Sequence, residues 1–192
     1  RGNLGVRIVH TKQNSAANKQ VATDNQGLPS YQWQESDKSY TDVLPSVNLA
    51  IDLDTDLLLR ASAAKVMSRA EYHQLMASTN YNVTQAQGAG GNPDLDPYRA
   101  TQFNLGLEWY FDEAALLSAT AFHQDVNSFI DIKRFIETYE GVDMTIDRPT
   151  NGSGGYLRGL ELSFQQELLY GLGIIANYTY VDGQRRDLDS GD

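Results

Sequence analysis

Gly90–Phe111, "GGNPDLDPYRATQFNLGLEWYF", joins two unlike halves. The first half is an acidic, turn-rich loop with prolines at 93 and 97. The second alternates, with Phe103, Leu105, Leu107, Trp109 and Phe111 on one side and Gln102, Asn104, Gly106, Glu108 and Tyr110 on the other. Such a strand has one face for an apolar medium and one for a polar medium, and its aromatics crowd at the far end. Either a second sheet covers its apolar face or lipid does.

The same period-2 pattern recurs along the chain and predicts seven strands. Leu4, Val6 and Ile8 alternate with Asn3, Gly5 and Arg7. Val47, Leu49 and Ile51 oppose Ser46, Asn48 and Ala50, and Leu57, Leu59, Ala61 and Ala63 oppose Leu58, Arg60 and Ser62. The stretch just quoted is the fourth. The fifth, "ALLSATAFHQDV" (Ala115–Val126), alternates too poorly for its apolar face to be assigned. In the sixth, Leu160, Leu162 and Phe164 oppose Glu161, Ser163 and Gln165; in the seventh, Ile174, Ala176, Tyr178 and Tyr180 oppose Asn177 and Thr179.

The connections separate the two settings. Short turns at "DTD", "DEAA" and "LLYG" alternate with long links from Lys12, Arg69 and Asp131. Those links run to about 28, 30 and 22 residues, whereas loops beyond roughly 12–15 are uncommon in compact soluble domains. Short turns on one side and long loops on the other are the habit of outer-membrane barrels, where the long loops are extracellular. Trp109, Tyr110 and Phe111 precede a short turn, where an interfacial aromatic girdle belongs. A soluble antiparallel sandwich explains the alternation but not three long loops on one side.

Composition removes other classes. A net charge of −10, with no basic cluster, excludes a nucleic-acid partner. The absence of cysteine excludes disulfides and thiolate chemistry. No apolar run reaches the ~18 residues of a transmembrane helix, but a β-barrel exposes only every second residue to lipid and keeps a polar average. The first residues, "RGNLGVRIVH", have no secretory leader pattern and read as a strand; the last, "DLDSGD", read as a loop. The chain is therefore expected to be a piece of something longer.

From Tyr40 to Asp182 the order and spacing of four stretches resemble the barrel of TonB-dependent outer-membrane receptors. These are "YTDVLPSVNLAIDLDTDLLLRASAAKVMSRAEYHQL", "GNPDLDPYRATQFNLGLEWYF", "LRGLELSFQQ" and "ANYTYVDG". The "GNPDLDPY" loop with its aromatic-ended strand is the most specific of them. One departure is Ala70 after Arg69, where the family often has proline. The resemblance implies an all-β, antiparallel transmembrane barrel of about 22 strands, filled by an N-terminal plug. Ligand would bind between plug and extracellular loops, and the TonB complex would supply energy through the plug. Residues 1–192 would then be part of the barrel domain, with plug, signal peptide and final strands outside them, in contact with outer-membrane lipid and lipopolysaccharide. Seven strands fall short of the even number, at least eight, of a bacterial barrel.

No catalytic or metal site is legible. His10, His73 and His123 are scattered. "DLDTD" starts like a calcium loop but places Leu57 at its sixth position and Ala63 at its twelfth. The sequons at Asn82, Asn151 and Asn177 match by chance, and "GSGG" lacks the lysine of a phosphate loop. No enzyme and no cofactor are expected. Arg7, Asn48, Arg60, Asn104, Glu108, Glu161, Gln165 and Asn177 are expected to line the lumen, chiefly pairing with the plug. Ligand contact is expected from Tyr72, His73, Asn80, Tyr81, Asn82 and Gln85 in the long loop. Aromatic rings with neutral amides favour an oligosaccharide over a ferric siderophore. A soluble glycan-binding sandwich and a passive porin are the competing readings.

Overall fold

The computed structural model describes residues 1–26 and 28–186. Eleven strands follow in chain order: β1 (Gly2–Thr23), β2 (Pro29–Asp54), β3 (Leu57–Ser68), β4 (Thr79–Asn82), β5 (Gln87–Gly90), β6 (Tyr98–Asp112), β7 (Ala115–Val126), β8 (Ile130–Tyr139), β9 (Val142–Asn151), β10 (Gly155–Glu167) and β11 (Gly173–Arg185). They form two sheets. The larger has the order β1-β2-β3-β6-β7-β10-β11, antiparallel throughout, and contains all seven expected strands. The smaller has the order β4-β5-β9-β8.

Register sorts the larger sheet into two faces, because cross-strand partners share a side. One row reads Leu4, Val47, Ala63, Phe103, His123, Arg158, Asp182; the next reads Gly2, Leu49, Ala61, Leu105, Ala121, Leu160, Tyr180. The opposite face carries rows such as Ser62, Asn104, Phe122, Gly159, Val181. This settles β7, whose apolar face is Leu117, Ala119 and Ala121, with Ser118, Thr120, Phe122 and Gln124 on the polar side. Its alternation is faint because alanine marks the apolar face and phenylalanine interrupts the polar one.

The apolar face is uncovered. Leu4 is 81% exposed, Leu105 53% and Phe103 49%. The soluble-sandwich alternative requires a second sheet on this face, and the small sheet packs on the other one. An apolar surface of this extent has no stable place in water.

The upper border of the apolar band slopes. It ends at Ile8 and Val43 on β1 and β2, at Ala63 and Phe103 on β3 and β6, and at Ala121, Leu160 and Tyr180 on β7, β10 and β11. That descent is three rows, or about 20 Å of strand, across six spacings of about 4.8 Å. The slope is about 35°, within the tilt of strands in a barrel wall. At the other border Trp109, Phe111 and Phe164 group together, with ring centroids 5.3 Å and 6.1 Å apart.

The long links are not structureless. The link from Lys12 is the continuation of the β1–β2 hairpin, paired up to Thr23 and Pro29. Asp24 closes its turn by accepting from the Gln26 and Leu28 amides. The links from Arg69 and Asp131 supply the small sheet. Glu140 (φ 51°) and Gly141 (φ 78°) make the two-residue turn between β8 and β9, with both residues in the left-handed region that such hairpins require.

Candidate functional site

The eight polar residues expected on the lumen share the polar face of the larger sheet by register. Five are tied into cross-strand bonds. Asn48 donates to Asn3 (2.8 Å), Asn104 donates to Ser62 (3.0 Å), and Asn177 accepts from Ser163 (2.8 Å). Arg60 donates to Glu108 at 2.6 Å, and Glu108 also accepts from Tyr110. Arg7, Glu161 and Gln165 make no side-chain hydrogen bond among the described residues. Around Glu161 lies a concavity of about 400 Å³ lined by Gln102, Asn104, Thr120, Phe122 and Leu157. The Phe122 ring lies across Gly159, whose missing Cβ leaves room for it.

Above the apolar band the polar face of the β1–β2 hairpin is covered. Burial alternates along it, with Thr11 and Asp42 nearly closed off and Lys12 and Ser39 open. The cover has two parts, and the first is the "NPDLDPY" loop. Gln13 donates to the Pro93 carbonyl, and Lys38, its cross-strand partner, donates to the Asp94 carbonyl and pairs with Asp96 at 3.0 Å. Asn92 caps its own turn through the Asp94 amide and donates to Pro149; Asp96 and Asn151 exchange two bonds. Leu95, 1% exposed, packs with Ala70, Leu75 and Ile130. Arg99 at the loop's end meets the buried Asp42 at 2.5 Å.

The second part is the small sheet. Tyr81, Tyr139, Met144 and Ile146 form its core, with Tyr81 and Tyr139 stacked at 4.3 Å. The Tyr139 hydroxyl meets Gln20 and Thr23, and the Thr23 amide donates to Glu140, so the β8–β9 tip is tied to the hairpin tip. Arg148 joins the layers, donating to Glu137, Thr79 and the Gly91 carbonyl. That bond holds the Glu137 carboxyl below its ordinary value, against the opposing effect of burial. Burial, reinforced by Glu137, raises the Tyr81 phenol. A cleft of about 330 Å³ remains between the layers, lined by Lys19, Gln34, Thr79, Asp94, Phe135 and Arg148.

Residues expected on the ligand divide between the two faces of this sheet. Tyr81 points into the packed layer. Asn80 and Asn82 alternate with it and stand exposed on the free face. Register extends that face in two rows, Asn80–Ala89–Asp147–Arg134 and Asn82–Gln87–Thr145–Ile136. Asn82 and Gln85 bond to each other and shape the 3₁₀ turn between β4 and β5. Tyr72, 92% exposed, and His73, paired with Glu71 at 3.2 Å, sit apart on the 3₁₀ turn Tyr72–Leu75. The sequence reading missed Arg134, Thr145, Asp147, Gln87 and Ile136. The signal was there: alternation in "IDIKRFIETY" ahead of a Glu-Gly turn.

The packed face rests on the wall, so the free face looks away from it, on the side of the polar face below. This can offer amides, the Arg134–Asp147 ion pair (3.2 Å) and an exposed isoleucine to a molecule above the polar interior.

The folds of known receptors match. A mutant of the ferric enterobactin receptor PfeA from Pseudomonas aeruginosa, in complex with enterobactin, is 20% identical, with a TM-score of 0.62 over 79% of this chain and 24% of that one. The siderophore receptor PirA of the same organism is 16% identical, with a TM-score of 0.63 over 95% and 35%. A double mutant of the hemophore receptor HasR from Serratia marcescens, with its hemophore HasA and heme, is 14% identical, with a TM-score of 0.60 over 95% and 31%. The chain thus spans about a quarter to a third of their length. The family model described as TonB dependent receptor-like, beta-barrel, matches residues 1–192. The chain belongs to the TonB-dependent receptor family of outer-membrane β-barrels, a family of transporters and receptors.

Proposed function

We propose that this chain forms a sector of the wall and the extracellular mouth of an active importer in the outer membrane, energised through TonB. The observation that carries the reading is the seven-strand sheet with one apolar and one polar face, whose border slopes at a membrane-barrel tilt. In that setting the polar face lines the lumen, and Arg7, Glu161 and Gln165 are its free groups for a plug or bound water. The free face of the small sheet overlooks the lumen and meets the incoming ligand. Family membership supports an energised receptor over a passive porin.

The cargo we propose is an iron-carrying small molecule, a ferric siderophore or heme. Nothing supports the oligosaccharide expected from the loop composition. The structural neighbours are named for enterobactin, a siderophore and heme. Arg134 on the free face is paired with Asp147 at 3.2 Å, so this face adds no net cation and the cargo reading rests on the neighbours alone.

The test is uptake by iron-starved cells that rely on the full receptor, with radiolabelled iron presented on catecholate and hydroxamate siderophores and on heme. Saturable, TonB-dependent uptake of one of these supports the reading. TonB-dependent uptake of labelled oligosaccharides, with no iron uptake, overturns the cargo. Accumulation that survives loss of TonB overturns the active importer.

A further inference from the structure

The upper part of the β1–β2 hairpin keeps one long edge with no strand beside it. Lower down, β2 lies between β1 and β3, but its ladder with β3 ends at Ser46. The next residue up is Pro45, which has no N–H with which to continue that ladder. From Leu44 up to Ser30, only β1 pairs with β2.

Register decides which residues present their backbone to the open side. Arg1 and Ala50 exchange two backbone bonds, each 2.7 Å. In an antiparallel ladder such bonded pairs alternate with unbonded ones, and the pairing runs unshifted from there to Gln20 and Tyr31. The residues of upper β2 that bond to β1 are therefore the even-numbered ones, such as Gln34 and Lys38. The odd-numbered ones, among them Tyr31, Trp33, Glu35 and Asp37, point their N–H and C=O away from β1. Their side chains stand on the outer face, in line with Val43 and Val47, and are exposed. Among the described residues no other backbone group bonds to them.

That outer face has one sign of charge. Its upper rows are Asn14–Asp37, Ala16–Glu35, Asn18–Trp33 and Gln20–Tyr31, which together hold two carboxylates and no cation. Asp37 accepts from the Asn14 amide at 2.9 Å and Glu35 from the Trp33 indole at 2.8 Å. Both partners are neutral, so the charges stand uncompensated. The Trp33 and Tyr31 side chains beside them are more than half exposed.

We propose that this edge adds a strand from an extended cationic peptide, one with lysine or arginine at alternate positions. Its backbone bonds to the open groups of Tyr31, Trp33, Glu35 and Asp37. Its cations then lie on the outer face, beside the two carboxylates and against the two aromatic rings. A second copy of the chain fits less well, because it would bring two acidic edges together. The proposal needs the hairpin to stand clear of the membrane; it does not depend on TonB or the cargo.

The full receptor in lipid nanodiscs is titrated with three short synthetic peptides. One alternates lysine with threonine, one alternates glutamate with threonine, and one is the lysine peptide N-methylated throughout, which keeps its charge but removes its backbone donors. The lysine peptide is expected to bind about tenfold tighter than either of the others. It should also slow amide exchange at Tyr31, Trp33, Glu35 and Asp37. Glu35→Gln with Asp37→Asn should weaken binding about fivefold. Glu35→Pro should weaken it more than Glu35→Gln does, because proline removes an open-edge donor and leaves the ladder with β1 intact. Equal binding of the N-methylated peptide overturns strand addition, and so does an absence of binding. Amides at these four residues already protected without peptide would show the edge covered by the receptor itself or by a second copy, and would also overturn it.

Discussion

Arg148 grips Glu137 with two parallel bonds, Nε to Oε1 at 2.7 Å and Nη2 to Oε2 at 3.1 Å, and the same guanidinium reaches Thr79 on β4 at 2.7 Å. One side chain on β9 therefore secures both edge strands of the small sheet. The two side chains are only 20% and 29% exposed, so solvent screens the pair less than a surface ion pair. Arg148→Ala leaves Glu137 and Thr79 without their donor and should cost the extracellular sheet about 1–2 kcal/mol. Limited proteolysis on intact cells should show new cleavage between residues 79 and 151, with the wall strands still protected.

The same pair sets a pH response. Because the folded carboxyl of Glu137 lies below its ordinary value of 4.5, its contribution is complete above that pH and is lost as the pH falls through the folded value. Amide protection factors in β4, β5, β8 and β9, which correct for the intrinsic pH dependence of exchange, should be unchanged between pH 7 and about 5 and should fall in more acidic buffer. Glu137→Gln should flatten that acid-dependent fall in protection. An identical acid profile in the variant would refute the assignment.

On the wall, neighbours in sequence should differ sharply. Leu105→Arg places a cation in the middle of the lipid-facing band and should cost about 2–4 kcal/mol. Asn104→Arg, one residue earlier on the polar face, should fold normally. Folding into lipid vesicles, followed by gel mobility with and without heating, separates the two.

Phe122 and Gly159 should be coupled. A Cβ at position 159 would meet the phenyl ring and the Tyr180 carbonyl, so Gly159→Ala should destabilise by about 1–3 kcal/mol. Adding Phe122→Ala should recover part of that loss, measurable as a non-zero interaction term in a urea-unfolding cycle. Strict additivity would show that only the carbonyl matters.

Ligand capture should follow the free face. Asn80→Ala with Arg134→Gln should raise the half-saturating ligand concentration for uptake about tenfold, equivalent to about 1.4 kcal/mol. Tyr81→Phe, which keeps the stack with Tyr139, should leave it within about twofold. The reverse order would move the contact surface to the inter-layer cleft.

The wall was legible because lipid on one side and water on the other write themselves into alternate residues, as in Phe103–Phe111. Where alanine replaces leucine, as at Ala119 and Ala121, the writing fades although the strand remains. Above the membrane border both faces of a strand meet polar surroundings. "SAANKQ" and "YQWQES" therefore look like loop even though they pair along the hairpin. Tyr81 and Asn80 could not be told apart by composition. Only the pairing of β4 with β5, and of β5 with β9 across 58 positions of sequence, decides which of them is buried.

The β1–β2 hairpin continues for 14 residue pairs beyond Ile8 and Val43, on the order of 50 Å of strand. Even tilted, it stands well clear of the bilayer, and the ties from Lys38, Gln13 and the β8–β9 tip keep it upright. Such a mast carries Tyr31 and Trp33 exposed near its top. Among the described residues it reaches farthest beyond the membrane border, so its tip offers a surface for recognition from outside that lies apart from the free face of the small sheet.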